Sequence, residues 1–151
     1  MGPKRYDRQE RQPDEKPESL LLLQAEIALN QGDLEKALQI CEDIVQREPL
    51  SVAGHFMLGL VYRSRADEHK AIAEFKKVVF LQPDNALARF NLGDLHSQTG
   101  QIDEAKTEYS NAAQLLIERP ESFDDRFAGG FSVALLIDIC CSKLQTLKKG
   151  G

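Results

Sequence analysis

Apolar residues recur along this chain at helical spacing, in stretches separated by short polar turns. Between positions 18 and 119 the apolar side chains lie three and four positions apart, which is the pattern of an amphipathic helix. Polar turns such as NQGD and QTGQ separate the helical stretches in pairs. The pattern therefore predicts helical hairpins.

The hairpins repeat with a period of 34 residues. The segments that begin at His55 and Arg89 match at each landmark: Gly59 with Gly93, Ala71 with Ala105, and Phe75 with Tyr109. The same spacing extended backwards reaches Ala25 and Ala37, which indicates a third and more divergent unit. A fixed period of this length predicts a repeat array, with units at Glu18–Ser51, Val52–Asn85 and Ala86–Arg119. Small residues at the landmarks let paired helices approach closely.

These landmarks resemble the tetratricopeptide repeat (TPR). The second unit has all of them: Leu58, Gly59, Tyr62, Ala71, Phe75 and Pro83. The third unit has His96 at the aromatic position and Ile117 in place of the proline, and the first unit departs at Gln24, Ala28 and Cys41. The resemblance covers residues 18–119. It implies an all-α fold of three helical hairpins in a right-handed superhelix, an α-α solenoid that binds proteins and has no chemistry of its own.

The remainder of the chain is predicted to close the array. Residues 120–131 form a loop that starts at Pro120 and contains the turn AGGF, in which Gly129 or Gly130 takes a positive φ. Ser132 is a suitable N-cap for a capping helix over residues 132–149. One face of that helix is lined by apolar residues, namely Val133, Leu136, Ile137, Cys140, Leu144 and Leu147.

From Leu38 to Leu147 the repeats and this tail are similar to the repeat region that follows the catalytic domain of CheR-type chemotaxis protein methyltransferases. The resemblance implies a bacterial signal-transduction role, as the regulatory or docking module of an enzyme that methylates receptor glutamates with S-adenosylmethionine. Its partner would be a cytoplasmic segment of a chemoreceptor or a signalling protein. Because this chain holds no methyltransferase domain, no catalytic or cofactor-binding residue is transferred to it, and no cofactor is expected. The alternative is a free-standing adaptor that organises another bacterial assembly.

Composition narrows the choice of partner. The chain has 151 residues, of which 42% are hydrophobic, enough for one domain. Its net charge of −5 and its pI near 5.2 argue against nucleic acid or an anionic membrane as the main target. No apolar run approaches the roughly 18 residues of a membrane span. Three cysteines and no signal-peptide pattern favour the cytoplasm.

Residues Met1–Pro17 have a different composition from the repeats. They hold three prolines, five basic and four acidic side chains, and one aromatic residue, which predicts a flexible leader or a linker from a longer protein. The divergent first unit also suggests that two chains pair through that end.

In a TPR array the first helix of each hairpin lines a groove, and the repeat register predicts which side chains face it. The predicted partner-binding residues are Leu22, Glu26, Asn30, Phe56, Leu60, Arg63, Phe90, Asp94 and Gln98. Phenylalanines, leucines and a few charges would suit an amphipathic helix or an extended peptide. The alternative for Phe56 and Phe90 is that they pack between helices or under the C-terminal segment.

Other functions fit the sequence poorly. A clamp for a chaperone's C-terminal carboxylate needs basic groove residues, but those positions hold Leu22, Glu26, Met57, Leu87 and Asn91. The three histidines are far apart in the sequence, and no His, Cys or carboxylate cluster has metal-ligand spacing. The sequence therefore predicts a non-catalytic binding module without a metal site.

Overall fold

A computed structural model describes residues 15–150 of the chain and shows only helices there. Apart from residues 15–17, the predicted leader lies outside the described part. The helices are α1 (Glu18–Asn30), α2 (Leu34–Arg47), α3 (Val52–Ser64), α4 (Glu68–Leu81), α5 (Ala86–Gln98), α6 (Ile102–Glu118) and α7 (Val133–Lys149). Two short 3₁₀ turns, Pro120–Ser122 and Asp125–Phe127, lie between α6 and α7. None of the helices described in residues 15–150 is both long and apolar enough to cross a membrane.

The helices pack in sequence order. Within each hairpin α1 pairs with α2, α3 with α4, and α5 with α6, while α2 stacks on α3 and α4 on α5. The terminal helix α7 then packs on α6. This arrangement is the all-α solenoid of three hairpins and a capping helix that the repeat pattern predicts.

Small residues set the distance between the two helices of a hairpin. A Cβ atom added to Gly59 would lie 2.8 Å from the ring of Phe75, and one added to Gly93 would lie 2.8 Å from the ring of Tyr109. Because real Cβ atoms do not approach that closely, the aromatic ring of the second helix lies directly on the backbone of the first. Both rings are fully buried. The residues that recur every 34 positions are thus the ones that pack the two helices of a hairpin together.

Helix boundaries follow from local chemistry. The side chains of Ser51, Asn85 and Ser132 each accept a hydrogen bond from a backbone N–H in the first turn of the helix that follows. The three hairpin turns each contain a residue with positive φ, namely Gly32, Ala66 and Gly100. The backbone at these points reverses direction through the left-handed region, which terminates the first helix of each hairpin.

The tail forms the predicted turn and capping helix. Gly129 and Gly130 both have positive φ, and α7 begins directly after its Ser132 N-cap. On α7, Leu136 and Cys140 are fully buried. The other members of the predicted apolar face, Val133, Ile137, Leu144 and Leu147, are partly buried against the array. The end of the array is therefore closed by the chain's own last helix.

Candidate partner-binding face

The nine predicted partner-binding residues lie on the first helices of the hairpins, α1, α3 and α5, whose shared surface we call the groove face. Their environments differ from one hairpin to the next. On α1, Glu26 and Asn30 are exposed and Leu22 is half-buried. Leu22 packs against a buried cluster that includes Met57 and Leu58 of α3. The α1 part of the groove face is thus accessible.

On α3 the tail covers the groove face at Phe56. The ring of Phe56 is 1% exposed, because it packs edge-on against Phe75, with ring centroids 5.3 Å apart, and stacks on Phe127 of the tail at 5.0 Å. A pocket of about 300 Å³ remains beside this contact, bordered by Phe123 and by the turn before α5. Of the two alternatives for Phe56, the structure therefore places this ring under the C-terminal segment.

On α5 the groove face is partly covered, by α6 and by the capping helix α7. Phe90 is half-buried and lies edge-on to Tyr109 at 5.9 Å, in a cluster that includes Cys140 and Leu144 of α7. Gln98, at the end of α5, is exposed. The third hairpin therefore offers little open surface at its predicted groove positions.

Two predicted residues on different hairpins meet directly. The guanidinium of Arg63 on α3 donates to Asp94 of α5 over 2.9 Å and to the side-chain oxygen of Asn91 over 2.5 Å. The amide of Asn91 donates in turn to the backbone oxygen of Leu87. Both the oxygen and the nitrogen of the Asn91 side chain are therefore hydrogen-bonded within the protein.

Asp94 is the centre of this network. Its buried carboxylate also accepts a hydrogen bond from the hydroxyl of Tyr109 on α6 and forms an ion pair with Lys143 on α7, at 3.1 Å. Burial and the hydrogen bond to Asp94 raise the pKa of Tyr109 well above its ordinary value. Four helices are therefore joined through one carboxylate. Two cations, Arg63 and Lys143, face the single carboxylate of Asp94, so this network carries one net positive charge. The side chains of both cations are part-exposed.

The predicted set of partner-binding residues lacks three members of this surface. Asn91 and Lys143 complete the polar network, and Phe127 covers Phe56. Lys143 had a weak signal, since it lies three positions after Cys140 on the inward side of α7. No sequence signal indicated Phe127, because a periodic pattern does not predict the path of an irregular loop over the array.

The histidines, which are the candidate metal ligands, lie apart from one another in the fold. His55 contacts Glu74 and the backbone oxygen of Pro49, each at 2.7 Å, while His96 contacts Gln101 at 2.6 Å. Within residues 15–150 no group of three His, Cys, Asp or Glu side chains is placed to hold a metal ion.

The thiols also lie in different environments. Burial raises the pKa of Cys41 and of Cys140 to about 12, whereas Cys141 is exposed. The two buried thiols therefore remain protonated and unreactive at neutral pH.

Comparison with known proteins agrees with this architecture. Sequence profiles of the tetratricopeptide repeat match residues 19–51 and 56–122, which together make up about two thirds of the chain. Cell division cycle protein 27 homolog A of Arabidopsis thaliana is 33% identical over 120 residues, which is 80% of this chain and 16% of that protein. The chain spans a fifth or less of the length of the first curated relatives that it matches.

Solved structures show the same fold at low identity. The type III secretion chaperone SycD of Yersinia enterocolitica, in complex with a peptide of the translocator YopD, superposes with a TM-score of 0.76 at 17% identity, over 89% of this chain and 96% of that chain. The first TPR of Spaghetti (RPAP3), bound to the HSP90 peptide SRMEEVD, superposes with a TM-score of 0.70 at 14% identity, over 88% of this chain and 91% of that chain. With its 34-residue register, its stacked hairpins and the two profile matches, the chain belongs to the tetratricopeptide-repeat family.

Proposed function

We propose that this chain is a non-catalytic interaction module that holds a peptide segment of another protein on the groove face of its first two hairpins. The observation that supports this is the uneven cover of that face. The chain's own tail covers Phe56, and Phe90 is half-buried against Tyr109, whereas Glu26 and Asn30 of α1 are exposed. Leu22, Leu60 and Arg63 are half-buried beside them.

The open part of the groove face has mixed chemistry. Leu22 and Leu60 offer apolar surface, Glu26 offers a negative charge, and the Arg63–Lys143 pair leaves one positive charge after Asp94 is neutralised. A matching peptide has apolar side chains between a basic residue near α1 and an acidic residue near the end of α3. Both structural neighbours named above hold peptides, which supports a peptide as the ligand here.

Selection from a displayed library of random peptides tests the proposal. The selected peptides are measured by fluorescence anisotropy against the full chain, against Glu26→Lys, and against Glu42→Lys as the matched control. Glu26 and Glu42 are exposed residues of the same hairpin, but Glu42 lies on α2, away from the groove face. We expect Glu26→Lys to weaken binding about tenfold, since it removes one charge-assisted contact, and Glu42→Lys to leave it unchanged. Equal loss in both variants, or no selected peptide, contradicts the proposal.

A more specific function is that of a docking module within a cytoplasmic CheR-type chemotaxis methyltransferase. The peptide that it binds would then belong to a chemoreceptor or to a signalling protein. The sequence resemblance supports it, together with the tail, in which a turn beginning at Pro120, two glycines of positive φ and a capping helix follow one another. Neither relative nor neighbour named above is a methyltransferase, so this more specific function depends on the resemblance.

The size of the native polypeptide tests this more specific function. An immunoblot of the native cells with an antibody to this chain distinguishes a band well above 16.9 kDa from one at that mass. The larger band, with receptor methylation by the purified whole protein, supports the docking role. A band at 16.9 kDa supports the free-standing adaptor instead.

A further inference from the structure

The first helix, α1, presents an apolar stripe outside the groove face. Leu20, Leu23 and Ile27 are 38%, 53% and 47% exposed. Their spacing of three and four positions places them along one side of the helix. We call these three residues the outer stripe.

The repeat register shows what the outer stripe corresponds to. The residues 34 positions after the outer stripe lie on α3 and are Gly54, Met57 and Val61. The residues 68 positions after it lie on α5 and are Ala88, Asn91 and Leu95. All six of these residues are buried. On α3 the cover is the second helix of the preceding hairpin, since Ile44 and Val45 of α2 lie against the backbone of Gly54. The outer stripe is therefore a helix-stacking surface at the position where a preceding helix would lie.

A helix that covered this stripe would differ from α2 and α4 in its side chains. Gly54 and Ala88 are small, which lets α2 and α4 approach α3 and α5 closely. Leu20 stands at the equivalent position on α1. A helix on the outer stripe must therefore carry small side chains opposite Leu20, with larger apolar ones toward Leu23 and Ile27.

Charge indicates the remaining chemistry of the occupant. The first hairpin, residues 18–51, has seven acidic and two basic side chains. The charged residues of α1 itself, Glu18 and Glu26, are both acidic, and Glu26 is exposed beside the stripe. Lys16 precedes the helix and contacts Gln24. Two copies of this chain facing each other here would bring two strongly acidic hairpins together, whereas a helix with basic flanks would be attracted.

We infer that the outer stripe of α1 binds a basic amphipathic helix of a partner protein, which stacks on α1 as α2 stacks on α3 and α4 on α5. Residues 1–14 of this chain offer only Met1 and Tyr6 as large apolar side chains, with Pro3 and Pro13, so their sequence does not provide such a helix. The site is distinct from the groove face of the proposed function, although both include α1.

A designed peptide tests this inference on the full chain. The probe is a helical peptide of about five turns, blocked at both ends, with an alanine and leucine stripe flanked by lysines. Its binding is measured by fluorescence anisotropy against the wild-type chain and Leu23→Glu. Leu50→Glu is the matched control, because Leu50 is a 76% exposed leucine of the same hairpin. We expect Leu23→Glu to weaken binding at least about tenfold, since it places a carboxylate in an apolar interface, and Leu50→Glu to have no effect.

Each other outcome overturns the inference. Absence of binding up to about 1 mM, or equal binding of a peptide with glutamates in place of lysines, contradicts the proposed chemistry. A dimer in sedimentation that Leu23→Glu converts to a monomer assigns the stripe to a second copy. Binding that requires deletion of residues 1–14 assigns it to the chain's own leader. Peptides selected on the groove face retain binding to Leu23→Glu, so a failure here is distinguishable from failure of the proposed function.

Discussion

At the scale of single residues, the three hairpin turns use the same backbone with different side chains. Gly32, Ala66 and Gly100 occupy equivalent positions in the register, with φ angles of 77°, 57° and 79°. Glycine adopts this left-handed conformation without penalty, whereas alanine brings its Cβ close to the backbone, at a cost of about 1 kcal/mol. The second turn therefore retains strain that the other two lack.

Ala66→Gly is expected to raise the free energy of unfolding by about 0.5–1 kcal/mol, because relief of the left-handed strain exceeds the entropy that glycine adds to the unfolded chain. Gly32→Ala and Gly100→Ala should each lower it by about 1 kcal/mol for the converse reason. Urea unfolding followed by circular dichroism measures all three. Destabilisation by Ala66→Gly would show that the turn is not strained.

At the scale of elements, the loop between α6 and α7 determines how much of the groove face is open. Its hydrogen bonds are mainly internal, as in the pairs Asp124–Arg126, Asp125–Ala128 and Ala128–Phe131. Its contacts with the array are made by the aromatic rings of Phe123 and Phe127 and by Ala128. Phe56 therefore depends on this loop for part of its burial.

Phe56→Ala is expected to lower the free energy of unfolding by about 3–5 kcal/mol, since it removes a ring buried against Phe75 and Phe127. Phe127→Ala should lower it by less, because Phe127 is only half-buried. Hydrogen exchange should then show faster exchange in the loop, with α4 and α5 still protected. A Phe56→Ala chain as stable as the wild type would instead favour an open groove at this ring.

The polar network around Asp94 joins elements that the hairpin contacts do not. We expect Asp94→Ala to lower the free energy of unfolding by about 1–3 kcal/mol, since it leaves the Tyr109 hydroxyl without its acceptor and two part-exposed cations without a counter-charge. Asp94→Asn, which keeps an acceptor, should cost less. Urea unfolding compares the two variants, and equal loss from both would show that the charge, not the hydrogen bond to Tyr109, is what matters.

The elements that could be predicted from the sequence are those that follow a periodic pattern. Gly59, Ala71 and Phe75 recur at one spacing because the same packing contact recurs in each hairpin, so the solenoid and the capping helix could be predicted. The cover on Phe56 could not, since Phe127 lies in an irregular loop. The outer stripe was also missed, because Leu20, Leu23 and Ile27 look like core positions until the absence of a covering helix among the described residues is seen.

At the scale of the whole molecule, the two ends of the array differ. The C-terminal end is closed by α7, which buries Cys140 against Ala105 and Tyr109. The N-terminal end exposes the outer stripe, on a hairpin with seven acidic and two basic side chains. Within the described residues, the stacking surface that no helix covers therefore lies on α1, and partner contacts are expected there.

The first hairpin and the capping helix each bury a thiol, and these two thiols should make the free energy of unfolding depend on pH in the alkaline range. The pKa of Cys41 and of Cys140 is raised by burial from 9.0 to about 12. When folding raises the pKa of a group, the folded state has its full stability at pH values below the pKa of that group in the unfolded chain. The stability is then lost as the pH rises toward the pKa in the folded chain. Between pH 9 and pH 12 each thiol should therefore reduce the free energy of unfolding by about 1.4 kcal/mol per pH unit.

The Cys41→Ala/Cys140→Ala chain isolates this effect, because the buried hydroxyl of Tyr109, whose pKa is also raised, is present in both chains. Urea unfolding under reducing conditions at pH 8, 9, 10 and 11 should show the wild type losing stability more steeply than the double variant above pH 9. Cys141→Ala removes an exposed thiol and should follow the wild type. Parallel curves for wild type and double variant would mean that both thiols ionise in the folded chain as readily as in the unfolded one.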